Sequence, residues 1–264
     1  MKYYKHVNKI FGKLFISPNR WKIAEEKFVT KAHKIITVTE YAKNELVKRC
    51  KVDQKKVVVY PNTVKQSFYL DKHPDEELKR TYSKKFVLIY IGNTSERRGL
   101  ETVIDSLPSI KKKIKNIKLI IIGKSSYDNS LKHKIEKLDL LSYIDFIGWK
   151  EEGELYKYLM VSKLGLSPLH RNKHHDTTYA NKLFQYISFG LPVICSNSTA
   201  QSELVDSYKC GKVFKEKNNT DFERVVVSIF NNKKEYELLR SNCFKAIKKL
   251  NNSVVSKKMI SSYG

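Results

Sequence analysis

A polar loop with two adjacent arginines follows an apolar run at residues 86–91, where predicted strands and helices begin to alternate regularly. The loop runs from Gly92 to Gly99 (GNTSERRG), directly after FVLIYI and directly before a predicted helix. A glycine after a strand lets the backbone approach a ligand closely, and arginines at a helix start add charge to exposed N–H groups. The pattern predicts a phosphate-binding loop that uses Arg98, although a solvated loop with surface arginines fits the same residues.

A second candidate phosphate contact lies at the start of a later predicted helix, 181–189. Asn181 is a residue type that caps helices, and Lys182 falls in the first helical turn. A cation at that place opposes the helix dipole, and its presence is better explained if an anion binds there. We therefore predict that Lys182 binds an anion.

Histidines and a carboxylate gather just before this helix, in the segment 170–178 (HRNKHHDTT). These side chains are of metal-ligand types, but a basic substrate-binding loop also explains them. Because the sequence contains no second cluster of such ligands, we expect a basic loop and no metal.

The candidate contacts follow strands that are apolar on both faces and alternate with helices. The predicted strands are 34–38, 57–60, 86–91, 118–122, 143–147, 164–169, 192–196 and 211–214. The predicted helices are 21–32, 40–50, 99–114, 130–140, 151–160, 181–189, 220–230 and 234–250. This alternation predicts an α/β fold with a doubly wound parallel sheet, in which ligands bind beyond the carboxyl ends of the strands.

The composition limits the classes of function. The 264 residues carry a net charge of +24, from 51 basic and 27 acidic residues, and only eight of the basic residues are Arg. Base and phosphate recognition in nucleic acids favours Arg, so we expect a Lys-rich surface and no nucleic-acid partner. The four Cys form no Cys-x-x-Cys pair, which favours a reducing compartment. No apolar run is long enough to span a membrane, and no signal peptide is recognisable.

The first fifteen residues form a short basic amphipathic pattern. Its apolar positions recur at helical spacing, and lysines fill most of the other face. Such a stretch suits an anionic membrane surface, although its apolar stripe could equally pack on the rest of the protein.

Several segments occur in an order and at a spacing typical of one enzyme family. They are 32–43 (AHKIITVTEYAK), 57–64 (VVVYPNTV), 92–99 (GNTSERRG), 146–149 (FIGW) with 154–156 (ELY), and 181–186 (NKLFQY) with 190–194 (GLPVI). Together they resemble the C-terminal half of retaining GT-B glycosyltransferases of family 4.

The resemblance implies a nucleotide-diphospho-sugar donor and two catalytic residues. Arg98 matches the basic residue of the family's Lys-Gly or Arg-Gly pair, and Lys182 matches its second diphosphate contact. Both would offset the charge that grows on the leaving diphosphate, with no metal and no other cofactor. The implied donor-binding residues are Gly92, Asn93, Arg98, Asp176, Thr177, Asn181, Lys182, Leu183 and Gln185.

Three positions depart from the family pattern. Many members carry two Glu where this chain has Thr177 and Gln185, one toward the donor sugar and one toward the ribose. Gln185 can still bond a ribose hydroxyl, and Asp176 can replace the first acid from one position earlier. Asn93 stands where the family's first loop usually carries Arg. We therefore expect altered donor affinity or sugar choice.

The resemblance also implies a division of the chain and a function. Residues 1–66 correspond to a remnant of an acceptor-side Rossmann-like domain. Residues 67–240 correspond to a complete GT-B-like donor domain, and 241–264 to a C-terminal helix that returns toward the N-terminal part. The missing N-terminal half leaves open whether this chain is active alone.

Two functions fit this division. The first is a hexosyltransferase-type glycosyltransferase that acts with retention on a glycan or lipid-linked acceptor in cell-surface polysaccharide synthesis. We expect this enzyme in the cytoplasm, on the inner membrane face. The alternative is a non-catalytic or truncated nucleotide-sugar-binding subunit, completed by a partner chain that supplies the rest of the N-terminal domain.

Overall fold

The computed structural model describes residues 18–261. The chain divides between Val59 and Tyr60 into two compact units. The predicted amphipathic stretch of the first fifteen residues lies outside the described part. The sequence-based division at 66 and 240 stays a prediction.

The first unit is a small α/β fragment. Its elements are α1 (Pro18–Lys31), β1 (Ile35–Thr37), α2 (Glu40–Cys50) and β2 (Val57–Val59). The two strands are parallel. The Thr39 hydroxyl caps α2 by accepting from the Ala42 N–H at 2.9 Å, which fixes the start of the helix where the sequence predicts it.

The second unit is a six-stranded parallel sheet covered by helices. Its strands are β3 (Phe86–Ile91), β4 (Ile117–Ile122), β5 (Ile144–Gly148), β6 (Leu164–Ser167), β7 (Val193–Ser196) and β8 (Gly211–Phe214). Its helices are α3 (Glu76–Tyr82), α4 (Leu100–Lys113), α5 (Asp128–Lys137), α6 (Glu152–Val161), α7 (Lys173–Thr177), α8 (Lys182–Ser188), α9 (Thr199–Tyr208), α10 (Asn219–Asn231), α11 (Lys233–Ile247) and α12 (Asn252–Ile260). The strand order β5-β4-β3-β6-β7-β8, with every pair parallel, confirms the predicted doubly wound α/β sheet.

The central strand β3 shows why its sequence is apolar throughout. Leu88 and Tyr90 belong to the core on one face of the sheet, whereas Val87, Ile89 and Ile91 belong to the core on the other face. Successive side chains of a strand point to opposite faces, so a strand that is covered on both sides needs an apolar residue at every position.

Three helical regions differ from the sequence-based prediction. Segment 170–178, predicted as a loop, contains the short helix α7, and α9 (Thr199–Tyr208) is not among the predicted helices. The single helix predicted over 234–250 ends at Ile247. After that end, the buried Asn251 caps α12 by accepting from the Val254 N–H at 3.1 Å. A local cap therefore divides the apolar pattern at the end of the chain into two helices. Within residues 18–261, no helix combines the length and the apolar character that a membrane span requires.

Candidate functional site

The candidate site lies where the winding of the sheet reverses. Strands β3 and β6 are neighbours, but the chain leaves β3 toward β4 and leaves β6 toward β7. The divergence opens a crevice at their carboxyl ends. The fully buried Tyr186 of α8 joins the two strands there: its hydroxyl accepts from the Ile91 N–H at 3.0 Å and donates to the Leu166 carbonyl at 3.1 Å. Helix α8 is thereby held against the switch point.

The loop after β3 brings Arg98 to this crevice. A short turn, Glu96–Arg98, ends at Gly99, whose φ of 75° is in the left-handed region. A β-carbon on Gly99 would lie 1.7 Å from the Pro168 carbonyl oxygen, so the loop packs directly on the chain that leaves β6. Arg98 Nε is buried and has no hydrogen-bond partner. The loop therefore presents a guanidinium group with an unused donor.

Lys182 at the start of α8 lies against the beginning of the same loop. Its Nζ would be 3.7 Å from a β-carbon on Gly92 and is 3.5 Å from the centre of the Tyr90 ring. Lys182 is only 7% exposed, and its Nζ has no hydrogen-bond partner. The structure thus brings together two segments that the sequence predicts to bind phosphate.

The Lys182 ammonium is buried, and no hydrogen bond offsets the cost of its desolvation. Desolvation lowers the pKa of Lys182 well below its ordinary value, and the nearby Arg98 guanidinium lowers it further. A buried polar group without a partner is unfavourable, and the ring face of Tyr90 offsets only part of the desolvation of a cation. An anion bound at Gly92 would supply the missing partner to both cationic groups.

The structure corrects the predicted capping role of Asn181. Its backbone is helical and its side chain makes no cap hydrogen bond. Its carbonyl instead accepts from the N–H groups of Phe184, at 3.1 Å, and Gln185, at 3.3 Å. Leu183 is fully buried in the core, and its N–H donates to the Ala180 carbonyl. The Leu183 side chain therefore packs in the core and leaves the crevice to its neighbours.

Asn181, which directly precedes α8, and Gln185 in α8 both line a cavity of about 400 Å³. One helical turn separates them, so their amides project to the same side. The cavity also has charged, amide and aromatic lining residues. They include Asn62, Lys65, Lys72, Glu152, Tyr156 and Asn252. This mixture of hydrogen-bonding groups with an aromatic ring suits a polar ligand that has a planar part.

Asp176, predicted to serve as the replacement acid, is engaged within the protein. Its Oδ1 accepts from the Thr199 N–H at 2.9 Å, at the first turn of α9, and lies 3.2 Å from Arg171 Nε. The neighbouring Thr177 hydroxyl donates to the Lys173 carbonyl at 2.8 Å. Because the sequence did not predict α9, it could not indicate that Asp176 accepts a hydrogen bond from the first turn of that helix. A role for Asp176 or Thr177 in sugar binding stays a prediction.

His175 belongs to the segment predicted as a basic loop, but the structure buries its side chain. Its Nδ1 lies 2.7 Å from the His170 carbonyl, while Nε2 has no hydrogen-bond partner. Desolvation lowers the pKa of His175 to about 4; the bond to His170 opposes this shift, and the charge of Arg98 adds to it. His175 therefore stays neutral at physiological pH, which only its burial in the fold could reveal.

This shift makes a prediction about acid stability. The folded chain binds the His175 proton more weakly than the unfolded chain, so stability is lost as pH falls from about 6.5 toward 4. We expect wild type to lose roughly 1–2 kcal/mol more than His175→Gln over this range, because solvent screening reduces the effect of the shift. Urea unfolding at pH 7.5, 5.5 and 4.5 measures the difference, with the exposed His133→Gln as the control. Equal losses in wild type and His175→Gln would contradict the prediction.

The described side chains form no evident metal centre. Within residues 18–261, no three His, Cys, Asp or Glu side chains come together in a way that could hold a metal ion. The expectation that the reaction needs no metal stays a prediction.

Comparison with known proteins identifies similar sequences. The model of the family "Glycosyl transferases group 1" matches residues 71–246. An uncharacterised glycosyltransferase of Methanocaldococcus jannaschii is 26% identical over 179 residues, which are 66% of this chain and 42% of that protein. A GDP-mannose-dependent alpha-(1-6)-phosphatidylinositol monomannoside mannosyltransferase of Mycobacterium tuberculosis is 25% identical over 141 residues, 52% of this chain and 37% of that protein. The chain thus spans about two fifths of the length of these relatives.

A solved structure shows the same architecture. Anabaena HepE, in complex with UDP, matches with a TM-score of 0.78 at 13% identity, over 94% of this chain and 69% of that chain. At this level of identity the likeness shows the fold alone, and it confirms the predicted GT-B-like α/β fold.

Proposed function

This chain belongs to the group 1 glycosyl transferases, and on that basis we propose that it takes part in sugar transfer from a nucleotide-diphospho-sugar. The proposed acceptor is a glycan or lipid-linked precursor in cell-surface polysaccharide synthesis. The proposed stereochemistry is retention, as in family 4. The observation that carries the proposal is the buried Lys182 ammonium, which lies beside Arg98 and Gly92 without a hydrogen-bond partner.

The proposed role of the two cations follows from the charge that develops during transfer. When the bond between sugar and diphosphate breaks, negative charge grows on the leaving oxygen. Arg98 and Lys182 are fixed before the reaction by the Gly92–Gly99 loop and by α8, so their stabilisation of this charge requires little reorganisation. Two such cations supply the compensation that a metal ion provides at other diphosphate sites, and we propose that no metal is needed.

We further propose that the cavity beside α8 receives the nucleoside of the donor. Gln185 would hydrogen-bond a ribose hydroxyl. Asn181 lies one helical turn before Gln185 and directly precedes Lys182. The carboxamide of Gln185 offers both donors and an acceptor, whereas a Glu would offer acceptors alone. The HepE complex with UDP and the GDP-mannose dependence of the mycobacterial relative support a nucleoside diphosphate.

Calorimetry with UDP, GDP and their sugars tests the proposal. We expect at least one nucleoside diphosphate to bind, and Arg98→Ala to weaken that binding roughly 10- to 100-fold, as befits a charge-assisted hydrogen bond. Arg224→Ala is the matched control because Arg224 forms an exposed ion pair with Asp221 on α10. The proposal fails if neither UDP, GDP nor their sugars bind, or if Arg98→Ala binds them like wild type.

A second candidate function is a nucleotide-sugar-binding subunit that a partner chain completes. The small first unit favours it, because its described sheet has only two strands of three residues each. This candidate predicts donor binding without transfer by the chain alone, and transfer when the partner is present. A transfer assay with cell extract added and omitted distinguishes the two functions, since an autonomous enzyme turns over in both.

We also propose a cytoplasmic location at the inner membrane face. The support is the basic amphipathic sequence of residues 1–15, which lies outside the described structure. Co-sedimentation with vesicles of anionic and of neutral lipid tests it. Binding to the anionic vesicles should weaken when Lys2, Lys5, Lys9 and Lys13 are replaced by Gln, and no binding to either vesicle would disprove the location.

A further inference from the structure

The loop that carries Arg98 is joined by side chains to the segment after β4. Thr94 is only 1% exposed, and its hydroxyl hydrogen-bonds to Asp128 Oδ1 and lies 3.0 Å from Ser125 Oγ. One residue earlier, Asn93 Nδ2 donates to the Lys124 carbonyl at 3.3 Å. Two consecutive residues of the loop are thus tied to residues 124–128. The Asn93 side chain, at the position where the family's Arg usually stands, is part of this tie.

Asp128 is the anchor of these contacts. It is the first residue of α5, and its Oδ1 accepts from the Ser125 N–H at 3.1 Å as well as from the Thr94 hydroxyl. A carboxylate only accepts hydrogen bonds, and bonds to a charged acceptor are stronger than neutral ones. The carboxylate therefore fixes both its own turn and the neighbouring loop.

The backbone between Thr94 and Arg98 transmits this constraint. The Ser95 N–H donates to Asn93 Oδ1 at 3.0 Å, and the Arg98 N–H donates to the Ser95 carbonyl at 2.8 Å. The Gly99 N–H donates to the Glu96 carbonyl at 3.0 Å and completes the turn. These overlapping hydrogen bonds link Asn93 to Ser95, Ser95 to Arg98 and Glu96 to Gly99. A displacement of Thr94, which lies between Asn93 and Ser95, would therefore move the Arg98 backbone.

We propose that Asp128 is a positioning residue, which holds Thr94 and thereby places the Arg98 guanidinium for a nucleoside diphosphate. This inference rests on the proposed function and extends it to a residue outside the binding crevice. Asp128 acts on the ligand only through the loop. Its contribution to affinity consequently disappears when Arg98 is absent.

Calorimetry with UDP and GDP on the full chain measures this role. We expect Asp128→Ala to weaken nucleoside diphosphate binding about 10-fold, and Asp128→Asn, which keeps an acceptor oxygen, to stay within about threefold of wild type. The matched control is Asp105→Ala, which removes a carboxylate 2.9 Å from Lys134 Nζ on the neighbouring helices. It should bind within about twofold of wild type.

A double-mutant cycle separates positioning from general damage. Asp128→Ala combined with Arg98→Ala should bind no more weakly than Arg98→Ala alone. Thr94→Val, which removes only the hydroxyl, should reproduce the loss seen in Asp128→Ala and serves as the second variant if Asp128→Ala unfolds. Additive losses in the cycle, or wild-type affinity in Thr94→Val, would overturn the inference.

Amide hydrogen exchange gives a reading that does not depend on ligand. In the free chain, Asp128→Ala should speed exchange at the Arg98 and Gly99 amides, while Asp105→Ala leaves them unchanged. If wild type binds neither UDP nor GDP, the proposed function fails, and exchange still decides whether Asp128 holds the loop. If wild type binds and exchange is unaffected by Asp128→Ala, only the positioning inference fails.

Discussion

Replacing Lys182 by Met should abolish most donor binding while making the folded chain more stable. The substitution removes a buried ammonium that has no hydrogen-bond partner and places a thioether over the Tyr90 ring. We expect the free energy of unfolding to rise by about 1–2 kcal/mol. Nucleoside diphosphate binding should weaken roughly 10- to 150-fold because a charge-assisted hydrogen bond is lost, and kcat/KM should fall by about 10²–10³.

The same lysine should make donor binding depend on pH. In the free chain the pKa of Lys182 is lowered by burial and by Arg98, whereas a bound diphosphate favours the protonated form. Between the lowered pKa and the ordinary value, binding must therefore take up a proton, and affinity must fall as pH rises. Calorimetry in buffers that differ in heat of ionisation measures the protons taken up, and Lys182→Met should take up none.

Lys245→Met is the matched control for the measurements of donor affinity and of proton uptake. Lys245 is an exposed residue of α11, far along the chain from the crevice-forming loops, and its replacement should change neither donor affinity nor proton uptake. A Lys182→Met chain that binds donor like wild type would remove the central support of the proposed function. A chain that binds poorly and is also less stable would indicate that Lys182 is a structural residue.

Gly99→Ala should damage stability and donor binding together. A β-carbon at this position would lie 1.7 Å from the Pro168 carbonyl oxygen and 2.8 Å from the Pro168 carbonyl carbon, so backbone would have to move. The residue also has a φ of 75°, which an L side chain rarely adopts. We expect a loss of about 2–4 kcal/mol in urea unfolding, as for an overpacked core. Donor binding should weaken because Arg98 precedes the displaced residue.

Two other glycines separate the causes of this loss. Gly148 has a φ of 79° but open space around its missing β-carbon, so Gly148→Ala should cost only about 1 kcal/mol. Gly153 lies in α6, also in open space, and Gly153→Ala should raise stability by about 0.5–1 kcal/mol through helix propensity. If Gly99→Ala is no less stable than Gly148→Ala, the close approach of the loop to Pro168 is contradicted.

The elements predicted from sequence were those whose local signals agree with their surroundings. The run Phe86–Ile91 forms a strand with the predicted bounds because it is apolar at every position and is covered on both faces. The helix Glu40–Cys50 also has the predicted bounds because Thr39 caps it. By contrast, α9 has no side-chain cap from its own N-cap residue, and the carboxylate that serves its first turn comes from Asp176, 23 residues away. No local pattern contains that partnership.

The sequence by itself determined the class of fold, the placement of the candidate loops after strand ends, and the choice of Arg98 and Lys182 as the two candidate cations. These follow from apolar periodicity and from residue types placed after strands, which are local properties of the chain. Only the tertiary structure decided which contacts each of these residues makes. It buries Lys182 without a partner, engages Asp176 and Asn93 in the protein itself, and ties Thr94 to Asp128. Such assignments depend on which groups compete for each hydrogen bond, and that competition exists only after distant segments have packed together.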